Sequence, residues 1–233
     1  MKNAEWRVGA VILAAGKGSR MGADVTKQKM NISGVSVIKR AVLAFMESRL
    51  VTKLVVVCRA DELDFVASEL SELRGKPIGY AVGGKTRRES AKIGFMALGR
   101  DFDFVAIHDA ARPLIKPEGI NEVCRAAFRH GAASASSPVS DTVKVVSGGF
   151  AVATEDRERL ATVQTPQVFR RELYLEAISS VGEDIPVTDD NMLIEALGGK
   201  VALVDIGKYN IKITTGEDIA FAEFLINGGW LDG

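Results

Sequence analysis

Short apolar runs rich in β-branched residues alternate along this chain with segments of helical periodicity. The runs lie at residues 8–13, 54–57, 78–82, 104–107 and 201–204. Each is too short for a helix of ordinary length, and its composition favours a buried strand. Amphipathic patterns predict helices around residues 38–45 and over residues 61–73, 86–98, 117–129 and 216–226. This alternation predicts an α/β fold with a mainly parallel, twisted sheet and helices on both faces.

One region interrupts the pattern. Residues 138–164 carry strand-like alternation around Gly148 and Gly149, which predicts a β-hairpin. A hairpin with little apolar area is marginal alone, so we expect this arm to pack on something else, such as a second subunit. No repeat, low-complexity tract or linker divides the rest, and we expect residues 1–233 to form one domain.

The overall charge limits the partners that the chain can have. Thirty basic and thirty acidic residues cancel, and the pI is about 6.8. Without a general positive field, neither nucleic acid nor an anionic membrane is an expected partner, and no segment is long enough to cross a bilayer. Cys58 and Cys124 are far apart and match no CxxC pair. We expect them to be core thiols of a cytoplasmic protein.

Polar residues follow three of the predicted strands. A glycine-rich loop begins at Gly16, residues 83–88 follow the strand at 78–82, and His108, Asp109 and Arg112 follow the strand at 104–107. In a parallel sheet the carboxyl ends of the strands meet at one edge, where ligands bind. These groups are therefore expected to face one crevice.

Two familiar interpretations of the glycine segments fail on their context. The dinucleotide fingerprint needs glycines at relative positions 1, 3 and 6, but Met21 occupies the third of these after Gly16 and Gly18. The sequence GYAVGGKT, from Gly79 to Thr86, fits the P-loop pattern of an NTPase letter for letter. A predicted strand lies inside that motif, however, where the phosphate loop should be.

A third interpretation is a long open loop that wraps a nucleoside triphosphate. Its backbone N–H groups would contact the phosphates, helped by the cations Lys17, Arg20, Lys27 and Lys29. The alternative for each of these cations is an ordinary solvated loop residue.

Eight short motifs in order carry a resemblance to a known family. They are LAAGKGSRMG with KQ at 27–28, GGKTRRES at 83–90, HDAARP at 108–113, DTVK at 141–144, DR at 156–157, QTPQVF at 164–169, TDD at 188–190 and NIKIT at 210–214. Together they resemble the 2-C-methyl-D-erythritol 4-phosphate cytidylyltransferases over nearly the whole chain. The resemblance implies a Rossmann-like nucleotidyltransferase fold, a homodimer, and transfer of CMP from CTP to methylerythritol phosphate with Mg²⁺ or another divalent cation.

The resemblance also assigns candidate site residues. CTP would be bound by Ala14, Ala15, Gly16, Gly84 and Ser90, and the glycine-rich loop and the turn at the crevice add Lys17, Gly18 and Lys85 to this set. Arg20 and Lys27 would grip its triphosphate and, with Lys212 and Arg157, form the catalytic set. The sugar phosphate would be held by Asp109, Arg112, Thr165, Lys212 and, from the partner's hairpin, Thr142 and Arg157. Asp109 would contact the metal ion, directly or through water.

Some assignments keep an alternative. The alternative for Asp109 is a helix-capping or loop-bracing carboxylate, and His108 is better explained as a hydrogen-bonded structural residue than as a residue that contacts substrate. If NIKIT is a strand, its isoleucines face the core and Lys212 faces the crevice.

The sequence also departs from the family pattern. Thr26, Lys29 and Tyr209 replace the usual residues, and we expect Lys29 to add charge near the phosphates. The related ribitol 5-phosphate cytidylyltransferases are the alternative family, with HDAARP favouring methylerythritol phosphate.

Overall fold

A computed structural model describes residues 6–16, 26–182 and 185–231. The main strands of this part are β1 (Val8–Leu13), β2 (Asn31–Ile32), β3 (Val35–Ser36), β4 (Val51–Cys58), β5 (Ile78–Val82), β6 (Phe104–Asp109), β7 (Ala132–Pro138), β8 (Lys144–Ser147), β9 (Phe150–Thr154), β10 (Ala161–Arg170) and β11 (Ala202–Asp205). The α-helices are α1 (Val37–Glu47), α2 (Leu63–Leu70), α3 (Arg87–Ala97), α4 (Pro117–His130), α5 (Arg171–Ser180), α6 (Asn191–Ala196) and α7 (Gly216–Asn227). None of these helices is long and apolar enough to span a membrane.

Seven of the described strands form one sheet in the order β11-β7-β10-β6-β1-β4-β5. Neighbours pair in parallel, except that β10 runs antiparallel to both β6 and β7. The predicted α/β class with a mainly parallel sheet is confirmed.

Helices cover both faces of this sheet because its central strands are apolar on both sides. In β1, Ala10 and Ile12 pack with α1, α2 and α4, whereas Val11 and Leu13 pack with α3, α5 and α6. The period of two along a strand sends alternate side chains to opposite layers. A third cluster, around Ile32 and Leu225, packs α7 beside β2 and β3.

The predicted strands at 8–13 and 78–82 match β1 and β5, and the other three predicted strands are shifted or extended by a few residues. Both β7 and β10 escaped prediction. Strand β7 is built from alanine and serine, small residues that let α4 pack closely but carry little β-propensity. Strand β10 contains Gln164, Pro166 and Gln167 within its length, which breaks the apolar pattern.

The predicted hairpin is present as β8 and β9. Gly148 and Gly149 both have positive φ, which the two-residue turn between these strands requires. The two strands form a separate sheet, and every residue in them is exposed. We call β8 and β9 with their flanking residues 139–160 the hairpin arm.

The NIKIT segment is not a strand, contrary to the sequence expectation. Its backbone lies beside the loop after β6, where the Ile213 amide donates to the Ala111 carbonyl at 2.7 Å. One backbone hydrogen bond of this kind does not make the repeated pairing that defines a β-strand. The side-chain expectation still holds at two positions: Ile213 is fully buried and Lys212 faces the crevice.

Candidate active site

A crevice of about 780 Å³ opens at the carboxyl ends of β1, β5 and β6. It is lined by Leu13, Ala15, Gly16, Lys27, Gln28, Arg59, Gly83, Gly84, Lys85, Thr86, Arg87, Glu89, Ser90, Asp109, Ala111 and Lys212. The structure therefore brings members of all three predicted polar groups together: Gly16, residues 83–87 and Asp109 line this crevice. Contrary to the expectation, His108 is fully buried, Arg88 does not line the crevice, and Arg112 lines a neighbouring cavity instead. Lys17, Gly18 and Arg20 lie outside the described residues.

The turn after β5 approaches β1 closely. A Cβ on Gly83 would lie 2.5 Å from the Cβ of Ala15, so this position accepts only glycine without a backbone shift. Ser90, on the first turns of α3, accepts a hydrogen bond from the Gly84 amide at 3.1 Å and donates to the Thr86 carbonyl at 2.9 Å. Ser90 thereby fixes the turn that forms one wall of the crevice.

The opposite wall is held from β1. Ala14 is fully buried and does not line the crevice itself. Its carbonyl accepts a hydrogen bond from Gln28 Nε2 at 2.6 Å. Gln28 lies in the 3-10 helix Lys27–Lys29, so this bond anchors the helix that carries Lys27. Lys27 lines the crevice and its Nζ donates to the Ile213 carbonyl at 3.3 Å.

The structure places Lys29 away from the phosphate region expected for it. Its Nζ lies 5.1 Å from the ring centroid of Phe65, and Lys29 does not line the crevice. The cation–π contact draws the side chain toward α2. Thr26 is engaged on the same side, through a hydrogen bond from its hydroxyl to Glu62.

Asp109 is the acidic centre of the crevice. Its Oδ1 accepts from Arg87 Nε at 3.1 Å and its Oδ2 from Lys212 Nζ at 2.7 Å. Burial alone would raise the pKa of Asp109, but these two cations outweigh it and hold the pKa well below the usual value. Asp109 is therefore a permanent anion that positions two cations.

His108 is a structural histidine, as the sequence favoured. The Thr165 hydroxyl oxygen accepts from the Asp109 amide at 3.0 Å, so its single hydrogen is available for His108 Nδ1, also at 3.0 Å. The ring proton then lies on Nε2, which donates to the Arg112 carbonyl at 3.1 Å. Burial lowers the pKa of His108 to about 4, although Asp109 opposes the shift. The imidazole is neutral near pH 7.

A second cavity of about 260 Å³ adjoins the crevice. It is lined by Arg87, Asp109, Arg112, Val163, Gln164, Thr165, Gln167, Thr188, Asp189 and Lys212. Arg112 is oriented by a 2.8 Å hydrogen bond from its Nη1 to the Asn210 carbonyl. Arg87, Asp109 and Lys212 line both cavities and form the wall between them.

Thr142 and Arg157 do not join this group within one chain. Both are exposed on the hairpin arm, where Arg157 Nη1 donates to the Ser140 carbonyl at 2.8 Å. Neither lines either cavity.

Comparison with known proteins decides the family. The sequence profile of the 2-C-methyl-D-erythritol 4-phosphate cytidylyltransferases matches residues 8–228. A protein of that name from Caldanaerobacter subterraneus subsp. tengcongensis is 38% identical over 223 residues, covering 94% of this chain and 98% of the relative. This chain belongs to the 2-C-methyl-D-erythritol 4-phosphate cytidylyltransferase family. The predicted family and the predicted class of enzyme, a cytidylyltransferase, are confirmed.

Two further comparisons point to the same family and cover nearly the whole length of this cytidylyltransferase. A protein of the same name from Desulforamulus reducens is 41% identical over 222 residues, covering 93% of this chain and 94% of the relative. The crystal structure of 4-diphosphocytidyl-2C-methyl-D-erythritol synthase from Anaerococcus prevotii superposes with a TM-score of 0.86 at 29% identity. That comparison covers 96% of this chain and 97% of the other.

The donor set of this cytidylyltransferase fits a divalent cation only in part. Among the described residues, no group of three or more His, Cys, Asp or Glu side chains could hold a metal ion. Both oxygens of Asp109 already accept from cations. A metal ion would therefore take most of its ligands from phosphate and water, with Asp109 in contact through water.

Several residues that line the cavities lie outside the candidate set drawn from sequence, and Arg87 and Gln28 are two of them that hold other site residues in place. Arg87 lies inside the GGKTRRES motif but was not singled out, and Gln28 was quoted only as a neighbour of Lys27. Arginine at the first turn of a helix is unfavourable beside the positive end of its dipole, and this was the signal that could have identified Arg87.

Proposed function

We propose that this chain transfers CMP from CTP to 2-C-methyl-D-erythritol 4-phosphate, giving 4-diphosphocytidyl-2-C-methyl-D-erythritol and pyrophosphate, a step of isoprenoid precursor biosynthesis. The observation that carries the proposal is the pair of adjoining cavities with a shared wall of Arg87, Asp109 and Lys212. The larger cavity has glycine-rich walls suited to a nucleotide. The smaller has the cations Arg112 and Lys212 for an acceptor phosphate.

CTP is assigned to the larger cavity. Ala15, Gly16 and Gly84 offer backbone groups to the base and ribose, while Ser90 and the buried Ala14 support the two walls. Lys27 and Lys85 face the space for the triphosphate. For Lys17, Gly18 and Arg20, the proposal rests on the family motif.

The acceptor phosphate is assigned to the smaller cavity, against Arg112 and Lys212, with Thr165 in its wall. One of its oxygens attacks the α-phosphorus of CTP. The new P–O bond forms as the bond from that phosphorus to the bridging oxygen of the β-phosphate breaks, and the electron pair leaves with pyrophosphate. Lys27 stabilises charge on the equatorial oxygens of the transition state.

The reaction needs no general base. A phosphate monoester has its second pKa near 6, so the nucleophile is already ionised near neutral pH. His108 is neutral and its two ring nitrogens are engaged by Thr165 and the Arg112 carbonyl, which leaves no atom to accept a substrate proton. Mg²⁺ or another divalent cation would reduce the charge on the triphosphate, held by phosphate oxygens and water and touched through water by Asp109.

We also propose a homodimer in which the hairpin arm completes the partner's site. Val146, Phe150 and Val152 of the arm are exposed, Phe150 to 77% of its surface, and exposed apolar side chains of this kind are suited to cover by another protein surface. Thr142 and Arg157 would then reach the partner's acceptor cavity. In this proposal residues 1–233 are one domain, and the dimerisation segment at about 138–164 contains the hairpin arm. The two buried free thiols favour a cytoplasmic protein.

The test is pyrophosphate release from CTP with 2-C-methyl-D-erythritol 4-phosphate, with ribitol 5-phosphate and with no acceptor. We expect release with the first acceptor only. Preference for ribitol 5-phosphate would reassign the acceptor, and release without any acceptor or no turnover at all would refute the transfer. The Lys27→Ala variant should lose about 10²- to 10³-fold in turnover with little change in the KM for CTP, because its charge acts mainly in the transition state.

A further inference from the structure

A buried chain of charged groups runs from the interior of the protein to the wall between the two cavities. Asp190 is 1% exposed and directly precedes α6. Its Oδ2 accepts from Arg87 Nη1 at 2.5 Å and its Oδ1 from the Tyr174 hydroxyl at 2.6 Å. Arg87 continues the chain to Asp109, and Asp109 continues it to Lys212.

The position of Asp190 is explained by its ion pair with Arg87 and not by capping of α6. Aspartate before a helix ordinarily caps it, but the Asp190 side chain makes no capping hydrogen bond to α6. Its backbone amide instead donates to Gln167 Oε1 at 2.9 Å, which fixes the carboxylate toward Arg87. Asp190 lines neither cavity, so it acts on a substrate only through its neighbours.

Arg87 is likewise placed against local preference. It occupies the first turn of α3, where the helix dipole disfavours a cation. Burial alone would lower its pKa, yet the attraction of Asp190 and Asp109 raises the pKa above the usual value. Its Nη2 atom is buried and has no hydrogen-bond partner in the described part of the chain. The guanidinium is therefore shared between two carboxylates without forming a two-pronged pair with either.

That sharing matters for Lys212. The Lys212 side chain is 45% exposed and extends from a segment with no regular secondary structure. Its ammonium group is held by one carboxylate oxygen, Asp109 Oδ2. If Asp190 lost its charge, Arg87 would turn its unused Nη2 donor toward Asp109, since a bidentate pair is the stronger one. Arg87 would then compete with Lys212 for Oδ2.

We propose that Arg87 and Asp190 are positioning residues that keep Asp109 Oδ2 available to Lys212, and so place the Lys212 ammonium group for the acceptor phosphate. The inference rests on the proposed function for its kinetic consequence, but the positioning of Lys212 is measurable without turnover. A buried ion pair contributes little net stability by itself, whereas a fixed geometry is needed on the acceptor side.

The test compares Asp190→Asn and Arg87→Lys with matched controls. Asparagine removes the charge with little change of shape. Lysine keeps the charge but lacks the separated Nε and Nη1 donors with which Arg87 holds Asp109 and Asp190 at once, so Asp109 would no longer be held in the orientation that presents Oδ2 to Lys212. Arg88→Lys is the control beside Arg87, since Arg88 donates to the carbonyls of residues 181 and 182 instead. Tyr174→Phe removes the other hydrogen bond of Asp190 and leaves the ion pair intact.

Two measurements decide the outcome. We expect Asp190→Asn and Arg87→Lys to lower kcat/KM for the acceptor about tenfold to a hundredfold, because a displacement of the Lys212 ammonium group by about 1 Å costs up to about 10² in rate. The KM for CTP should stay within about twofold of the wild-type value. In the free protein, acetylation of Lys212 should become several times faster than in wild type, measured by mass spectrometry against the exposed Lys92. Arg88→Lys and Tyr174→Phe should resemble wild type in both measurements.

Labelling of Lys212 that is unchanged in the folded Asp190→Asn protein would overturn the inference. An equal kinetic loss in Tyr174→Phe would also overturn it, since a general loss of packing would then be the cause. If Asp190→Asn does not fold, Arg87→Lys decides by the same criteria. A wild-type protein that does not release pyrophosphate refutes the proposed function, while the labelling of Lys212 still tests the positioning.

Discussion

The buried His108 should make the stability of the fold depend on pH in a defined window. Its pKa is lowered from 6.5 to about 4 by burial, against the pull of Asp109. As the pH falls, the unfolded chain therefore binds a proton at this position before the folded chain does. The contribution of His108 to stability is fully present above pH 6.5 and is lost as the pH falls toward 4. A shift of this size corresponds to about 3 kcal/mol of unfolding free energy.

The assay is urea unfolding at pH 7.5, 6.5, 5.5 and 4.5 and at one protein concentration, since a dimer would make stability concentration-dependent. The useful quantity is the difference in unfolding free energy between wild type and His108→Gln. Glutamine does not titrate and can still donate to the Arg112 carbonyl. We expect the difference to shrink by most of the about 3 kcal/mol between pH 6.5 and 4.5, because only the wild type loses the His108 contribution.

Other groups affect this comparison little. Asp109 loses its contribution only as the pH falls below its ordinary value of 3.8, because its pKa in the folded state is lower still. His130, the other histidine, is exposed, and His130→Gln is the matched control for the substitution itself. A difference between wild type and His108→Gln that does not vary with pH would refute the reasoning. So would an NMR titration of His108 with its midpoint near 6.5.

Two further predictions test the walls of the crevice. Lys85→Ala should raise the KM for CTP less than about tenfold, because an exposed charge contributes about 1 kcal/mol or less to binding. Complete loss of activity in a protein with a normal circular dichroism spectrum would reopen the P-loop interpretation. Gly94→Ala should lower the unfolding free energy by about 1–3 kcal/mol, because its Cβ would lie 2.3 Å from Val11 Cγ1. Gly119→Ala is the control within a helix, with its nearest neighbour at 3.5 Å, and thermal unfolding should show no loss of stability there.

The part of the fold that sequence predicted is the part governed by local pattern. Strand β1 is apolar throughout, the strand inside the false P-loop motif is β5, and the turn after β5 lines the crevice. Each follows from periodicity and from the rule that ligands bind at the carboxyl ends of parallel strands. That rule sufficed to place Lys27, Gly84 and Asp109 in one crevice.

What sequence could not supply depends on contacts between distant residues. Arg87 and Asp190 are 103 positions apart, and only the tertiary fold brings the start of α3 to the residue that precedes α6. Lys212 reaches Asp109 from a segment that is not a strand, so the correct orientation was predicted for an incorrect reason. Lys29 was expected near the phosphates, but its ammonium group lies over the ring of Phe65, 36 residues away along the sequence. The local sequence pattern contains no information on such a contact.

A shared active site is the strongest demand that the proposed dimer makes. Lys27 lines the crevice, whereas Arg157 is exposed on the arm, so each complete site would combine Lys27 of one chain with Arg157 of the other. The Lys27→Ala and Arg157→Ala proteins should then both be nearly inactive. A two-fold interface treats both sites alike, so a mixed dimer of the two variants carries both lesions in one site and none in the other.

Exchange between equal amounts of the two variants therefore has a quantitative outcome. Random exchange makes about half of the dimers mixed, and one site in each mixed dimer is intact, so roughly a quarter of wild-type activity should return. Differential tagging of the two variants confirms that exchange has taken place. If both residues served one site within a single chain, every site in a mixed dimer would keep one lesion. Activity that stays at the level of the separate variants after confirmed exchange would therefore exclude an arm that completes its neighbour's site.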